Sequence, residues 1–215
     1  MSGETYSLMK PVARTMAALS CGFYSRAFIL FVTGSSLSIL KVLQELGSQT
    51  NISVNIRVKN ALYYAWWIPI VTGVFACITG LIYPCMDSKL GEPHYFRRDW
   101  TSVVRCIAVF VGIGHFSTKS YFLADKSHQF TLFLCLAMVL WWMFDRSPNG
   151  LGIGVIAAIL GTACTFVIAH LIYKHANFLY SQSWLPCLYF AGACTFGSFG
   201  RQLALMDQGF SKLLA

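Results

Sequence analysis

Six mostly apolar stretches of about twenty residues recur along this chain, at about 24–43, 64–84, 102–121, 128–144, 150–173 and 184–206. Nothing else constrains its fold as strongly. Crossing a hydrocarbon core of about 30 Å takes roughly 20 such residues, and a backbone in lipid must satisfy its own hydrogen bonds. The expectation is an all-α integral membrane protein with six transmembrane helices joined by short loops, a single domain over residues 1–215. That length leaves no room for a separate soluble domain. Charged residues make up only 11% of the chain, against about 25% in soluble domains, which supports the same reading.

The fourth stretch is the tightest. Phe130 to Phe144 is 15 uncharged residues, about 22 Å of helix at 1.5 Å per residue. His128 and Gln129 then sit at one lip and Asp145 at the other, where "LWWMFDRSPNG" closes the span. Two readings of that sequence compete. The plain one is an interfacial aromatic belt beside a topology-setting charge. The sharper one is a ligand- or partner-binding corner.

A formal net charge of +8 raises nucleic acid as a partner. However, the Lys and Arg residues are scattered at the ends of apolar stretches and form no basic stripe, so nucleic acid is not expected. Six spans put both termini on the same side as the 85–101 and 145–149 loops. That side carries ten of the 16 Lys and Arg residues and the other carries six, which predicts cytosolic termini. The loop between the first two spans is then lumenal and holds the sequon Asn51-Ile52-Ser53. Glycine is not at position 2, so myristoylation is not expected, and no cleaved signal peptide is expected either. The eight cysteines have neither C-x-x-C nor zinc spacing and read as small apolar fillers.

Catalysis finds little support. The acidic residues fall in loops, tails or helix lips, and His115 and His170 have no metal-ligand partner at helical spacing. A transporter would show broken helices and ionisable groups near the midplane. Sensing or scaffolding within the membrane remains, with a small lipid-binding transporter as the alternative and a purely structural assembly factor as a third reading. Gly192, Ala193, Cys194, Gly197, Ser198 and Gly200 in the last span predict close helix packing. Phe110 and Trp141 lie at comparable depths in their spans. From His128 to Trp141 is about 20 Å of helix, along which a long apolar ligand with a polar end would fit.

The stretches "AWWIP", "GLIYPCMDSKLGEPHYFRRDWTSVVRCIAVFVGIGH", "LWWMFDRS", "SWLPCLYFAG" and "GRQLA" together resemble the Insig (insulin-induced gene) family, over roughly Ala65 to Met206. The resemblance implies an Insig-like bundle of the endoplasmic reticulum membrane that binds oxysterol as a regulatory ligand and has no cofactor. It implies retention of the sterol-sensing partner Scap and its cargo SREBP, and delivery of HMG-CoA reductase to membrane ubiquitin ligases. By the same resemblance, Asp145 is the aspartate needed for Scap binding, and Phe110 and Trp141 belong to the sterol pocket. The family's pocket glutamine stands thirteen residues before that tryptophan; here the position holds His128, next to Gln129. Ser147 matches the serine after "DR" and, as an accessible cytosolic serine, is a candidate for phosphorylation. Tyr95 and Arg97 replace two lysines of relatives, which removes ubiquitylation at those positions and leaves Lys89 as the nearest lysine.

Overall fold

The computed structural model describes residues 3–48, 66–90, 99–119, 126–172 and 184–213. Asn51, Tyr95 and Arg97 lie outside the described residues. Among the described residues, six helices follow in order: α1 (Gly3–Ser48), α2 (Trp67–Leu90), α3 (Trp100–Lys119), α4 (Lys126–Phe144), α5 (Pro148–Ile172) and α6 (Leu185–Leu213). The stretches Gly22–Gln44, Trp67–Lys89, Trp100–Ser117, Ser127–Phe144 and Pro148–Ile168, one in each of the first five helices, are long and apolar enough to cross a membrane. Their outward faces carry large apolar side chains such as Phe28, Ile78, Val104, Val139 and Ile159.

The sixth helix has a different role. α6 packs against each of the other five, and every residue from Phe190 to Ala204 is buried. Protein rather than lipid surrounds it, so it can hold Thr195, Ser198, Arg201 and Gln202 inside the bundle. Partners within the bundle can offset the cost of burying such groups. Cys106, Phe133, Leu140, Phe190 and Cys194 form a core around it, with Phe110 and Trp141 packed against that core. Cys106, Cys187 and Cys194 are buried there, and the described cysteines are free thiols.

The second expected span ended at Pro84, but α2 continues through that proline to Leu90. Proline has no N–H to give to the carbonyl four residues back, which here belongs to Gly80. α6 crosses at that point, and any Cβ on Gly200 would collide with the Gly80 carbonyl group. Glycine at 200 therefore lets two backbones touch where the ladder of α2 is already interrupted.

Candidate functional site

The turn from α4 to α5 is built by local chemistry. The amides of Asp145 and Arg146 both donate to the Trp141 carbonyl, at 3.0 and 2.8 Å. Arg146 takes the left-handed conformation that ends many helices, with φ 47°. Ser147 then caps α5: its Oγ accepts the Gly150 N–H at 2.9 Å, and Pro148 occupies the first helical position. The indole N–H of Trp141 donates to the Ser147 carbonyl at 3.1 Å, tying the last turn of α4 to the first of α5.

This turn aims Asp145 inward, where it is 1% exposed. Arg201 reaches it from the central helix, its Nη1 donating to Asp145 Oδ1. The same guanidinium grips Asp87 of α2 in a fork, Nε to Oδ2 at 2.5 Å and Nη2 to Oδ1 at 3.0 Å. Ser147 donates its hydroxyl to Asp145 Oδ1 at 2.8 Å. The guanidinium carbon sits 4.6 Å from the centre of the Tyr83 ring, and the Tyr83 hydroxyl donates to the Gly150 carbonyl at 3.1 Å. One cation thus holds two carboxylates and clamps α2, α6 and the α4–α5 turn together.

The clamp is not fully satisfied. Asp145 Oδ2 is buried with no hydrogen-bond partner, and it occupies the space a Cβ on residue 150 would need. Burial pushes the Asp145 carboxyl above its ordinary value; Arg201 and Ser147 pull the other way, and Asp87 adds to the rise. Expectation and structure differ on two residues here. A carboxylate at the lip invites a partner from its sequence neighbour Arg146, but Arg201 is the cation that pairs with Asp145, while the Arg146 guanidinium lies 4.3 Å from the Trp142 ring centre. Ser147, expected to be accessible, is 2% exposed because its hydroxyl both caps α5 and bonds Asp145.

A second feature lies toward the other end of the bundle. An apolar cavity of about 240 Å³ opens among α1, α2, α3 and α6, with Thr165 of α5 in its wall. It extends along α6 from Trp184 to Phe196, about 18 Å at helical rise. Phe75, Phe110, Leu188 and Gly192 line its length, and Phe110 meets Phe196 edge-on with centroids 6.1 Å apart. Lys41 stands at the mouth, donating to Ser117 Oγ at 2.5 Å and to the Gly114 carbonyl at 3.3 Å. Its ammonium also lies 4.7 Å from the Trp184 ring centre.

Of the three residues expected to bind sterol, only Phe110 lines this cavity. Trp141 is half-buried against the core that Phe110 also touches, and His128 is exposed on α4. Arg201, Asp87 and Lys41 read as ordinary helix-end charges in the sequence. The available signal was Arg201, a cation inside the last apolar stretch and able to reach two acids at the same lip.

A family model described as "Insulin-induced protein (INSIG)" matches residues 25–204. The chain is 43% identical over 183 residues to the Insulin-induced gene 1 proteins of Xenopus laevis and Homo sapiens. The match covers 84% of this chain and 72% and 66% of those proteins. The crystal structure of a mycobacterial Insig homolog, MvINS from Mycobacterium vanbaalenii, is similar in fold, with TM-score 0.61 at 18% identity. That likeness covers 84% of this chain and 94% of the homolog. The resemblance carried by the sequence motifs is borne out.

Proposed function

The chain belongs to the insulin-induced protein (INSIG) family, and from that premise we propose that it is an oxysterol-binding regulatory protein of the endoplasmic reticulum membrane, not an enzyme, with both termini cytosolic. Loaded with sterol, it retains Scap and its cargo SREBP and presents HMG-CoA reductase to membrane ubiquitin ligases. Cholesterol synthesis is thereby placed under feedback control.

The cavity with Phe110 in its wall is the observation that carries this reading. Its length suits a sterol, while its volume of about 240 Å³ falls short of the roughly 300–1,000 Å³ of typical ligand sites. A sterol entering it must push the surrounding helices apart or leave one end at the mouth. Either response changes the outer surface of the bundle, which gives the ligand different affinities for two shapes of the protein and so a means of switching partner binding. The buried Asp145 supports partner capture by positioning. It fixes the turn, around which Trp142, Met143, Arg146 and Pro148 are exposed.

The test is equilibrium binding of radiolabelled 25-hydroxycholesterol to the purified protein, with melting curves as the folding control. Saturable binding is expected, lost in Gly192→Leu, whose side chain would grow into the cavity beside Phe110 and Phe75. If Gly192→Leu binds normally while Trp141→Ala does not, the sterol lies on the face of α4 and the cavity assignment is overturned. Asp145→Ala should retain sterol binding and lose sterol-dependent co-purification of Scap.

A further inference from the structure

We propose that Ser38 of α1 is the residue that hydrogen-bonds a hydroxyl group of the sterol in this cavity. The proposal rests on the reading of the cavity as the sterol site, and adds the contact that selects a hydroxylated ligand.

Ser38 lines the cavity and is 8% exposed. Its hydroxyl makes no hydrogen bond among the described residues, which sets it apart from its neighbours on α1. Thr33 and Ser36 donate to the carbonyls of Ile29 and Val32, each at 2.7 Å, and Ser35 donates to the Pro69 carbonyl at 2.9 Å. A buried hydroxyl without a partner carries an uncompensated desolvation penalty. A ligand hydroxyl that reaches Ser38 removes that penalty, because serine has an O–H to donate and two lone pairs to accept.

Other polar groups of the wall are poorer partners. Lys41, one turn nearer the mouth, is already held by Ser117, Gly114 and the Trp184 ring. Thr165 donates to the Gly161 carbonyl at 2.8 Å and bonds the Tyr189 hydroxyl, while Thr72 donates to the Ile68 carbonyl at 2.9 Å. Gln44, one turn beyond Lys41, is only half-buried, so water competes for its amide. A sterol with its hydroxyl at Ser38 lays its apolar body along Leu188, Phe110 and Phe196. An oxysterol carries hydroxyls on the ring system and on the side chain, and either one offers this chemistry.

The experiment uses the full chain in nanodiscs and displaces radiolabelled 25-hydroxycholesterol with four unlabelled competitors. These are 25-hydroxycholesterol itself, cholesterol, 25-hydroxycholest-5-ene without the ring hydroxyl, and cholest-5-ene without either hydroxyl. Ser38→Ala should weaken 25-hydroxycholesterol about fivefold, the worth of one neutral hydrogen bond. It should weaken cholesterol if the ring hydroxyl meets Ser38, and 25-hydroxycholest-5-ene if the side-chain hydroxyl does. Cholest-5-ene should bind wild type and Ser38→Ala alike. Without ligand, Ser38→Ala should melt at the same temperature or higher, since an unpartnered hydroxyl gives way to a better helix former. A lower melting temperature means that the hydroxyl serves the fold, and overturns the proposal; so does equal weakening of all four competitors, or of none. Binding lost in Gly192→Leu but normal in Ser38→Ala overturns the proposal and leaves the sterol reading standing. Normal binding in Gly192→Leu sinks both.

Discussion

Arg201 is where a single substitution tells most about this fold. It is 3% exposed and faces the carboxylates of both Asp87 and Asp145. Arg201→Met would strand both acids in the protein interior, and breaking a buried pair in this way costs about 3–5 kcal/mol. Asp145→Asn leaves Arg201 gripping Asp87 and should cost less than about 1 kcal/mol, near the net value of an ordinary hydrogen bond. Melting curves in detergent check the contrast, and equal losses would count against the clamp. The same carboxyl predicts a pH effect. Because its folded-state value is raised by burial, the folded protein takes up this proton at higher pH than the unfolded chain does. Stability from this group therefore rises as pH falls from neutral through the raised value. Wild type should gain on Asp145→Asn over that window; a gain in the opposite direction refutes the assignment.

At the scale of the element, α6 behaves as a core that happens to be a helix. Its small residues let α2 approach until the Gly200 backbone meets that of Gly80, whereas a Cβ on Gly112 in α3 meets nothing within 4 Å. Gly200→Ala should therefore destabilise the bundle by about 1–3 kcal/mol, the usual cost of overpacking. Gly112→Ala should leave the melting temperature unchanged or raise it, since alanine favours a helix over glycine. Comparing the two by thermal melting separates a packing effect from a propensity effect.

For the whole molecule, the two ends of the bundle carry different polar groups: Lys41 by the cavity mouth, and the Asp145–Arg201–Asp87 clamp near the other end. If sterol in the cavity promotes partner capture, the coupling must be reciprocal. A purified partner should tighten sterol binding by the same factor by which sterol tightens partner binding. Paired titrations in nanodiscs measure both factors. Unequal factors would mean that the two events do not report on one pair of states.

How much of this could be read from the chain alone differs from part to part. Among the described residues, the number and order of the helices follow from the apolar stretches, because the hydrocarbon core sets a minimum length for every span; the ends do not, since α1 begins at Gly3 and α2 runs through Pro84 to Leu90. The family follows from contiguous motifs. Even Ser147 and Pro148 were open to reading as a cap and first helical position, since capping is local chemistry. Three-dimensional packing decided what apolar composition hides: which helix sits in the middle, and what faces what. In a mostly apolar chain a lipid-facing stripe and a core-facing stripe look alike, and the small residues and Arg201 of α6 mark close packing without saying that all five other helices surround it. Arg201 and Asp87 are separated by 114 positions, and only the packing of α6 against α2 brings them together. The Lys41 mouth likewise exists only because α1, α3 and α6 meet there. "LWWMFDRS" announced a special corner, but the tertiary structure turned Asp145 inward, because a buried guanidinium stood ready to meet it.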